Sequence, residues 1–284
     1  PKEYYRKEIR VPFENTEIPV PVEYDAILKT KYGDYMTPVH NWDTHEYPFY
    51  VKQKKHCIAE GIKSNDYKDT YKDYMKCKEQ TDVIRKAKRI VKDFNGNTHK
   101  TVLFLSYKAE NWNTMDNIYK KYCQEKDIKV IVQCVPYYYK NIDGTFEKYI
   151  DGGMYPEYVT ITPIEDYNYV NENPDVIVFQ NPYDNYNSAG TTDPVFYSYN
   201  LASHTQKLIY IPYFRTDEID ENDMRAYTNM DAYVTMPGVV YADKVIVQSE
   251  EIRKLYIKKL TDFFGEESEA EWEDKIEAED IGGI

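Results

Sequence analysis

Two stretches constrain this chain more than any others: Lys207-Leu-Ile-Tyr-Ile-Pro-Tyr-Phe214 and Asp175-Val-Ile-Val-Phe-Gln-Asn-Pro-Tyr-Asp184. Each is a short apolar run rich in β-branched residues that stops abruptly at proline, amide and aromatic residues. A buried parallel strand reads this way where it delivers a polar loop at its carboxyl end. In open α/β sheets, ligands bind in the crevice outside those ends. The two stretches therefore mark an edge at which a site should lie.

The pattern repeats from Lys100 onward. Strands are expected over residues 101–106, 129–135, 158–161, 176–179, 208–211 and 244–248. Helices are expected over 114–126 and 196–203, and from a Ser249 cap to about Phe264, with Glu250 and Glu251 favourable to the dipole. Strands alternating with helices predict a doubly wound, mostly parallel, Rossmann-like α/β sheet over residues 100–265. Residues 1–60 form an irregular and helical extension. In it, prolines break residues 11–21 into extended segments and turns, and Gly33 stops a short helix over 23–32. Residues 61–99 read as a helical connector capped by Asn65 or Asp66 and ended by Asn95-Gly96-Asn97. Val83, Ile84, Ala87, Ile90 and Val91 form its apolar stripe.

Composition narrows the function. At 284 residues, 42% hydrophobic and 30% charged, the chain is an ordinary globular protein of one large domain or two modest ones. A net charge of -13 argues against a nucleic-acid partner, which needs a basic face, but not against a small anion bound by a local patch. The acidic stretch in residues 266–284 is expected to be a solvated helix face or frayed tail. The 31 tyrosines suit clefts and sugar-stacking walls, though a compositional bias of the source accounts equally for exposed runs such as residues 65–74. Cys57, Cys77, Cys123 and Cys134 show no CxxC spacing and no grouping with histidine, so no metal site is expected. Cys134 reads as a packed thiol, and a reducing, cytoplasmic compartment fits. The chain begins at Pro1 in mid-pattern and is expected to be trimmed from something longer. It contains no GxGxxG, P-loop, GxSxG or HExxH.

The loops after the strands supply the candidate site. They are Tyr107, Asn111 and Trp112 after the first strand, Tyr137 after the second, Gln180, Asn181, Tyr183 and Asp184 after the fourth, and Tyr213 and Phe214 after the fifth. Amides, hydroxyls and rings on one rim suit a polyol, sugar or phosphosugar, because rings stack on C–H faces and amides bond hydroxyls. Taken singly, several of these residues have ordinary structural roles: Asn181-Pro-Tyr-Asp184 as a turn, Tyr213 as core. Asp184 is the one candidate general base, and an Asx turn is its competing role. The catalytic residues are otherwise unknown. His204, near the amino end of a strand, is expected to be structural. His40 and His45 bracket Trp42 and Asp43 in no recognised ligand spacing and read as a surface loop.

Two family resemblances cover most of the chain. Val11-Pro-Phe-Glu-Asn-Thr-Glu-Ile-Pro-Val-Pro-Val-Glu-Tyr-Asp25 and Leu28-Lys-Thr-Lys-Tyr-Gly-Asp-Tyr-Met-Thr-Pro38 resemble the carboxyl-terminal end of a LicD-type phosphotransferase domain, over about residues 8–50. That family's metal-binding carboxylates lie upstream of the matching segment. Residues 100–275 resemble the amino-terminal, Rossmann-like half of the CDP-glycerol glycerophosphotransferase-related GT-B family. The matching strings are Gln180-Asn-Pro-Tyr-Asp184, Phe196-Tyr-Ser198, Leu208-Ile-Tyr-Ile-Pro-Tyr-Phe214, Met236-Pro-Gly238 and Ala242-Asp-Lys-Val-Ile-Val-Gln-Ser249.

The second resemblance implies a bacterial transferase of cell-envelope biosynthesis. It would move a phosphopolyol or sugar from a CDP-activated donor to an envelope glycan or teichoic-type polymer. This half would hold the acceptor. The donor would need a carboxyl-terminal domain of the full-length parent, and no other cofactor is implied. Work at the inner face of the membrane, with at most peripheral contact, is also implied. The family's Trp-His-Gly motif is not here: Tyr210-Ile-Pro-Tyr-Phe214 stands at that place, so the resemblance carries no base over. The alternative is a non-catalytic scaffold that binds a glycan or a protein through the same rim. A nucleotide hydrolase is a weaker reading, because no glycine-rich phosphate loop is present.

Overall fold

The computed structural model describes residues 6–13, 16–36, 67–94, 100–141, 145–149, 153–187, 189–217, 219 and 223–281. His40, Trp42, Asp43, His45, Cys57, the cap candidates Asn65 and Asp66, and Asn95-Gly96-Asn97 lie outside the described residues. The chain divides into two compact units, Pro1–Ser64 and Asn65–Ile284.

In the first unit, β1 (Glu8–Phe13) and β2 (Thr16–Pro21) pair antiparallel, with Val11 opposite Ile18. Prolines at Pro12, Pro19 and Pro21 are compatible with a two-stranded ribbon, because each strand has a free edge. Helix α1 (Tyr24–Tyr32) follows and ends at Gly33, whose φ of 67° lets its N–H donate to the Lys29 carbonyl at 2.9 Å.

The second unit opens with the long helix α2 (Tyr67–Phe94). Then come β3 (Lys100–Ser106), α3 (Asn113–Cys123), β4 (Ile128–Cys134), β5 (Tyr137–Lys140) and β6 (Phe146–Tyr149). The middle of the unit holds α4 (Tyr169–Glu172), β7 (Val176–Phe179), β8 (Gly190–Thr192), α5 (Ser198–Ser203) and β9 (Lys207–Tyr210). It finishes with α6 (Met224–Asn229), α7 (Asp231–Val234), α8 (Pro237–Tyr241), β10 (Lys244–Val247), α9 (Glu250–Phe264), α10 (Glu269–Lys275) and β11 (Ile276–Ala278).

Six strands form one parallel sheet in the order β11-β10-β9-β7-β3-β4. Alternate residues of each strand serve opposite faces. Leu103 and Leu105 of β3 enter one core with Leu201, Val239, Leu260 and Trp272. Val102 and Phe104 enter the other with Trp112, Met115, Ile118 and Tyr119. Burial on both faces is why these strands are continuous apolar runs rather than alternating ones. The result is an α/β domain with helices on both faces of a parallel sheet, compatible with a Rossmann-like fold.

The strand order reverses once. From β3 the chain moves outward to β4, then crosses back to β7 and proceeds outward the other way to β11. The switch point therefore lies at the carboxyl ends of β3 and β7. A second, antiparallel sheet, β6-β5-β8, stands at the same edge, because only Val135 and Pro136 separate β5 from β4.

Three expectations change. Residues 158–161 form a single bridge, Val132 to Ile161, instead of a strand; Pro156 and Pro163 bracket the segment and curtail its pairing. The acidic stretch is not a frayed tail. Trp272 and Ile276 are fully buried, Trp272 Nε1 donates to Ser268 Oγ at 2.8 Å, and β11 extends the sheet beside β10. As expected of a solvated helix face, Glu269, Glu273 and Asp274 point outward from α10, while Glu271 turns inward to pair with Lys78.

The apolar stripe of α2 faces outward, with Val83 70% and Ile90 62% exposed. Polar anchors choose the inward face instead. Arg85 Nε donates to the Ala202 carbonyl at 2.6 Å and Nη1 to Asp243 Oδ1 at 2.7 Å. Lys88 reaches the Ser203 carbonyl at 3.0 Å and Lys92 reaches Asp175 Oδ2 at 2.8 Å.

Candidate functional site

At the switch point, the loops after β3 and β7 are tied together by one side chain. Gln180 is wholly buried. Its Oε1 accepts from the Tyr107 N–H at 3.0 Å, and its Nε2 donates to the Asn111 carbonyl at 3.0 Å and to Thr114 Oγ1 at 2.9 Å. Three bonds directed into the fold leave Gln180 a structural clasp. The space beside it, bounded by Leu105, Phe179, Asn181 and Leu201, is about 20 Å³, room for one water and not for a ligand.

Above the clasp runs a chain of rings. Tyr137 lies 4.9 Å from Tyr107, Tyr107 5.3 Å from Tyr213, and Tyr213 5.0 Å from Phe214, all between centroids. Phe214 meets Tyr233 at 5.2 Å, and the Tyr183 and Tyr213 hydroxyls are 3.4 Å apart. These separations lie within the range of attractive aromatic pairs, so the rim is a packed structure in its own right. Burial pushes the Tyr107 hydroxyl up to about 12 and raises Tyr137 and Tyr183 as well. All three hydroxyls therefore stay protonated near neutral pH and act as hydrogen-bonding groups, not bases.

A ligand-sized space lies at one end of this row of rings. A groove of about 410 Å³ is walled by Lys108, Glu110, Tyr137, Tyr139, Tyr149 and Met154. That volume is within the usual range for small-molecule sites, about 300–1,000 Å³. Tyr137 and Tyr139 share a face of β5, with rings 5.5 Å apart, and Tyr149 packs 5.0 Å from Tyr137 across the β5–β6 pair. Tyr139 and Tyr149 remain 43% exposed and present their rings to the groove. Lys108 Nζ stands 5.6 Å from the Tyr137 centroid and 3.4 Å from Glu110 Oε1. A cation, three phenols and open ring surface can hold a polyhydroxylated, anionic ligand.

Of the residues expected from sequence, Tyr107, Tyr137, Tyr183, Tyr213 and Phe214 come together in the rim. Gln180 and the Asn111 carbonyl lie beneath it. Asn181 Oδ1 accepts from the Tyr183 N–H at 3.0 Å, an Asx turn. Trp112 is elsewhere: it is 2% exposed, packs on Phe104 and Tyr119, and donates to Asp116 Oδ1 at 3.1 Å. Asp184 sits at a positive φ of 49°, nearly buried, with Oδ1 accepting from the Ser198 N–H and Oδ2 from Ser198 Oγ, each at 2.8 Å. It satisfies the amino end of α5 from outside the helix. Burial raises its carboxyl to about 6, against the pull of both Ser198 bonds. His204 is structural, with Nδ1 2.8 Å from the Asn200 carbonyl at the end of α5.

Sequence reasoning marked the loops that hold Lys108 and Tyr139 without choosing those residues, and passed over Tyr149 and Met154. The signal for Tyr139 was present: Tyr137-Tyr138-Tyr139 at period 2 puts the outer two on one face of a strand. Among the described residues, no group of three His, Cys, Asp or Glu side chains could hold a metal, and no helix is long and apolar enough to cross a membrane. No protein-family model, curated protein or solved structure matches this chain.

Proposed function

We propose that the second unit is the acceptor-holding half of a GT-B-like transferase, and that its groove binds a polyol-phosphate or glycan chain. In the parent reaction, an acceptor hydroxyl would attack a CDP-activated donor held by another domain, extending a cell-envelope polymer at the inner face of the membrane. The observation that carries this reading is the groove itself. Lys108 offers a charge for phosphate, Tyr139 and Tyr149 offer ring faces and hydroxyls for a polyol, and the whole stands beside the switch point of a parallel sheet. The resemblance of the strand-end strings to glycerophosphotransferases supplies the substrate class.

One observation favours a second reading, a binding module without chemistry of its own. The candidate base Asp184 has both oxygens engaged by Ser198, and Glu110, at the groove, is paired with Lys108.

Ligand-observed NMR with a short glycerol-phosphate oligomer, CDP-glycerol and CMP tests both readings. The oligomer is expected to bind alone, and binding should fall at least tenfold in Tyr139→Ala and Lys108→Ala. Both side chains are exposed enough to be removed without unfolding the domain. Binding of CDP-glycerol or CMP would overturn the assignment of this unit to the acceptor. No binding of any of the three would remove the groove as a site.

A further inference from the structure

The outward stripe on α2 is an exposed apolar surface. In steps of 100°, Val83, Ile84, Ala87, Ile90, Val91 and Phe94 fall within one arc of about 120°. Tyr74, Arg85 and Lys92, which fasten the helix to its own domain, lie on the opposite side. Phe94 is 90% exposed, Val83 70%, Ile90 62%, Val91 59% and Ile84 43%. Together they leave on the order of 600 Å² of contiguous apolar surface, at the upper end of the largest patch on an ordinary monomer.

We infer that a second copy of this chain covers the stripe, with two α2 helices packed antiparallel. Two stripes facing each other remove at most about 1,200 Å² from water, the low end of the range for a specific interface.

Charge selects the partner and its direction. Glu79, Lys86 and Asp93 recur every seven residues along one flank of the stripe, alternating in sign. An antiparallel pair centred near Ile90 brings this flank against its own symmetry mate. Lys86 of each copy then faces Asp93 of the other, and the two-fold axis makes the pair of contacts equivalent. The inference is independent of the groove, which lies in a different part of the second unit and uses none of these residues.

Sedimentation velocity on the full chain over a wide concentration range tests it. A reversible dimer is expected. Ile90→Asp should leave a monomer with unchanged circular dichroism, because its side chain is already mostly in water. Lys86→Asp should weaken association about tenfold by setting like charges opposite, and the double variant Lys86→Asp with Asp93→Lys should restore it. A wild-type chain that stays monomeric overturns the inference, as expected if another part of the same chain covers the stripe. So does a dimer indifferent to Ile90→Asp. A dimer broken by Ile90→Asp but not restored by the double reversal overturns the antiparallel register.

Discussion

Replacing Asp184 with asparagine separates a structural carboxylate from a catalytic one. Asp184 is 5% exposed, and burial lifts its carboxyl from 3.8 to about 6. At pH 7 the ionised form therefore costs the fold about 3 kcal/mol relative to the neutral acid. Because the folded value is above the unfolded one, the folded state holds the extra proton between those values. The resulting stabilisation is complete below about pH 4 and is lost as pH rises through 6. Asparagine keeps the geometry. Its Oδ1 can accept from the Ser198 N–H, its amide can donate to Ser198 Oγ, and it tolerates a φ of 49° better than most residues.

The stability of Asp184→Asn relative to wild type should thus rise by about 2 kcal/mol between pH 4 and pH 7. Urea unfolding at pH 4, 5.5 and 7 measures this, and other titrating groups cancel in the difference. Asp184→Ala, which abandons the amino end of α5, should follow the same pH trend and lie about 1–3 kcal/mol below Asp184→Asn at each pH. Groove binding should be unchanged in Asp184→Asn. A difference between the two proteins that does not move with pH would refute the burial argument. Unchanged stability with lost binding or turnover would return Asp184 to the site.

Other perturbations probe the frame that carries the groove. Lys275 is 3% exposed between Tyr74 and Trp272, and burial lowers it to about 7 although Glu271 lies 3.7 Å away. Here the unfolded chain holds the extra proton, so wild-type stability relative to Lys275→Met should climb about 2–3 kcal/mol from pH 7 to 9.5 in chemical denaturation, with the buried tyrosines cancelling in the difference. Gly238→Ala would place a Cβ 2.4 Å from Pro182 Cα, a backbone atom that cannot swing aside. It should cost about 1–3 kcal/mol in thermal unfolding and disturb the turn after β7. Gln180→Leu would strand the Tyr107 N–H and leave the Asn111 carbonyl with Thr114 Oγ1 alone, with a cost of about 1–3 kcal/mol and weaker oligomer binding as the β3 and β7 loops separate.

Strands were the most legible part of the chain, for a physical reason. A central parallel strand is buried on both faces, so residues 102–105 and 176–179 are apolar throughout, and the pattern is local. The Ser249 cap was equally local: its Oγ accepts from the Ile252 N–H at 3.2 Å within the same turn. The small sheet was not legible, because its order β6-β5-β8 joins β5 to residues 190–192 far along the chain. Gly190 fits there since a Cβ would already stand 3.2 Å from the Tyr138 carbonyl. The groove depends on that sheet. Its inner ring, Tyr137, could be named from the strand-end rule, but its outer wall, Tyr149, could not. Trp112 was misplaced by the same rule, since the residues after β3 turn at once into α3 and drive the indole beneath the sheet.

Helix α2 shows why an apolar stripe alone does not identify the buried face. A buried guanidinium is costly unless it is bonded, so once Arg85 reaches both the Ala202 carbonyl and Asp243, rotating the helix would break those bonds. Lys88 and Lys92 add two more anchors one and two turns on. Four directional bonds fix one rotation, whereas the stripe, being non-directional, can be satisfied by any apolar surface. The sequence of α2 thus encodes two faces of different kinds. The polar face specifies its place within the domain, and the apolar face is left in water by that choice.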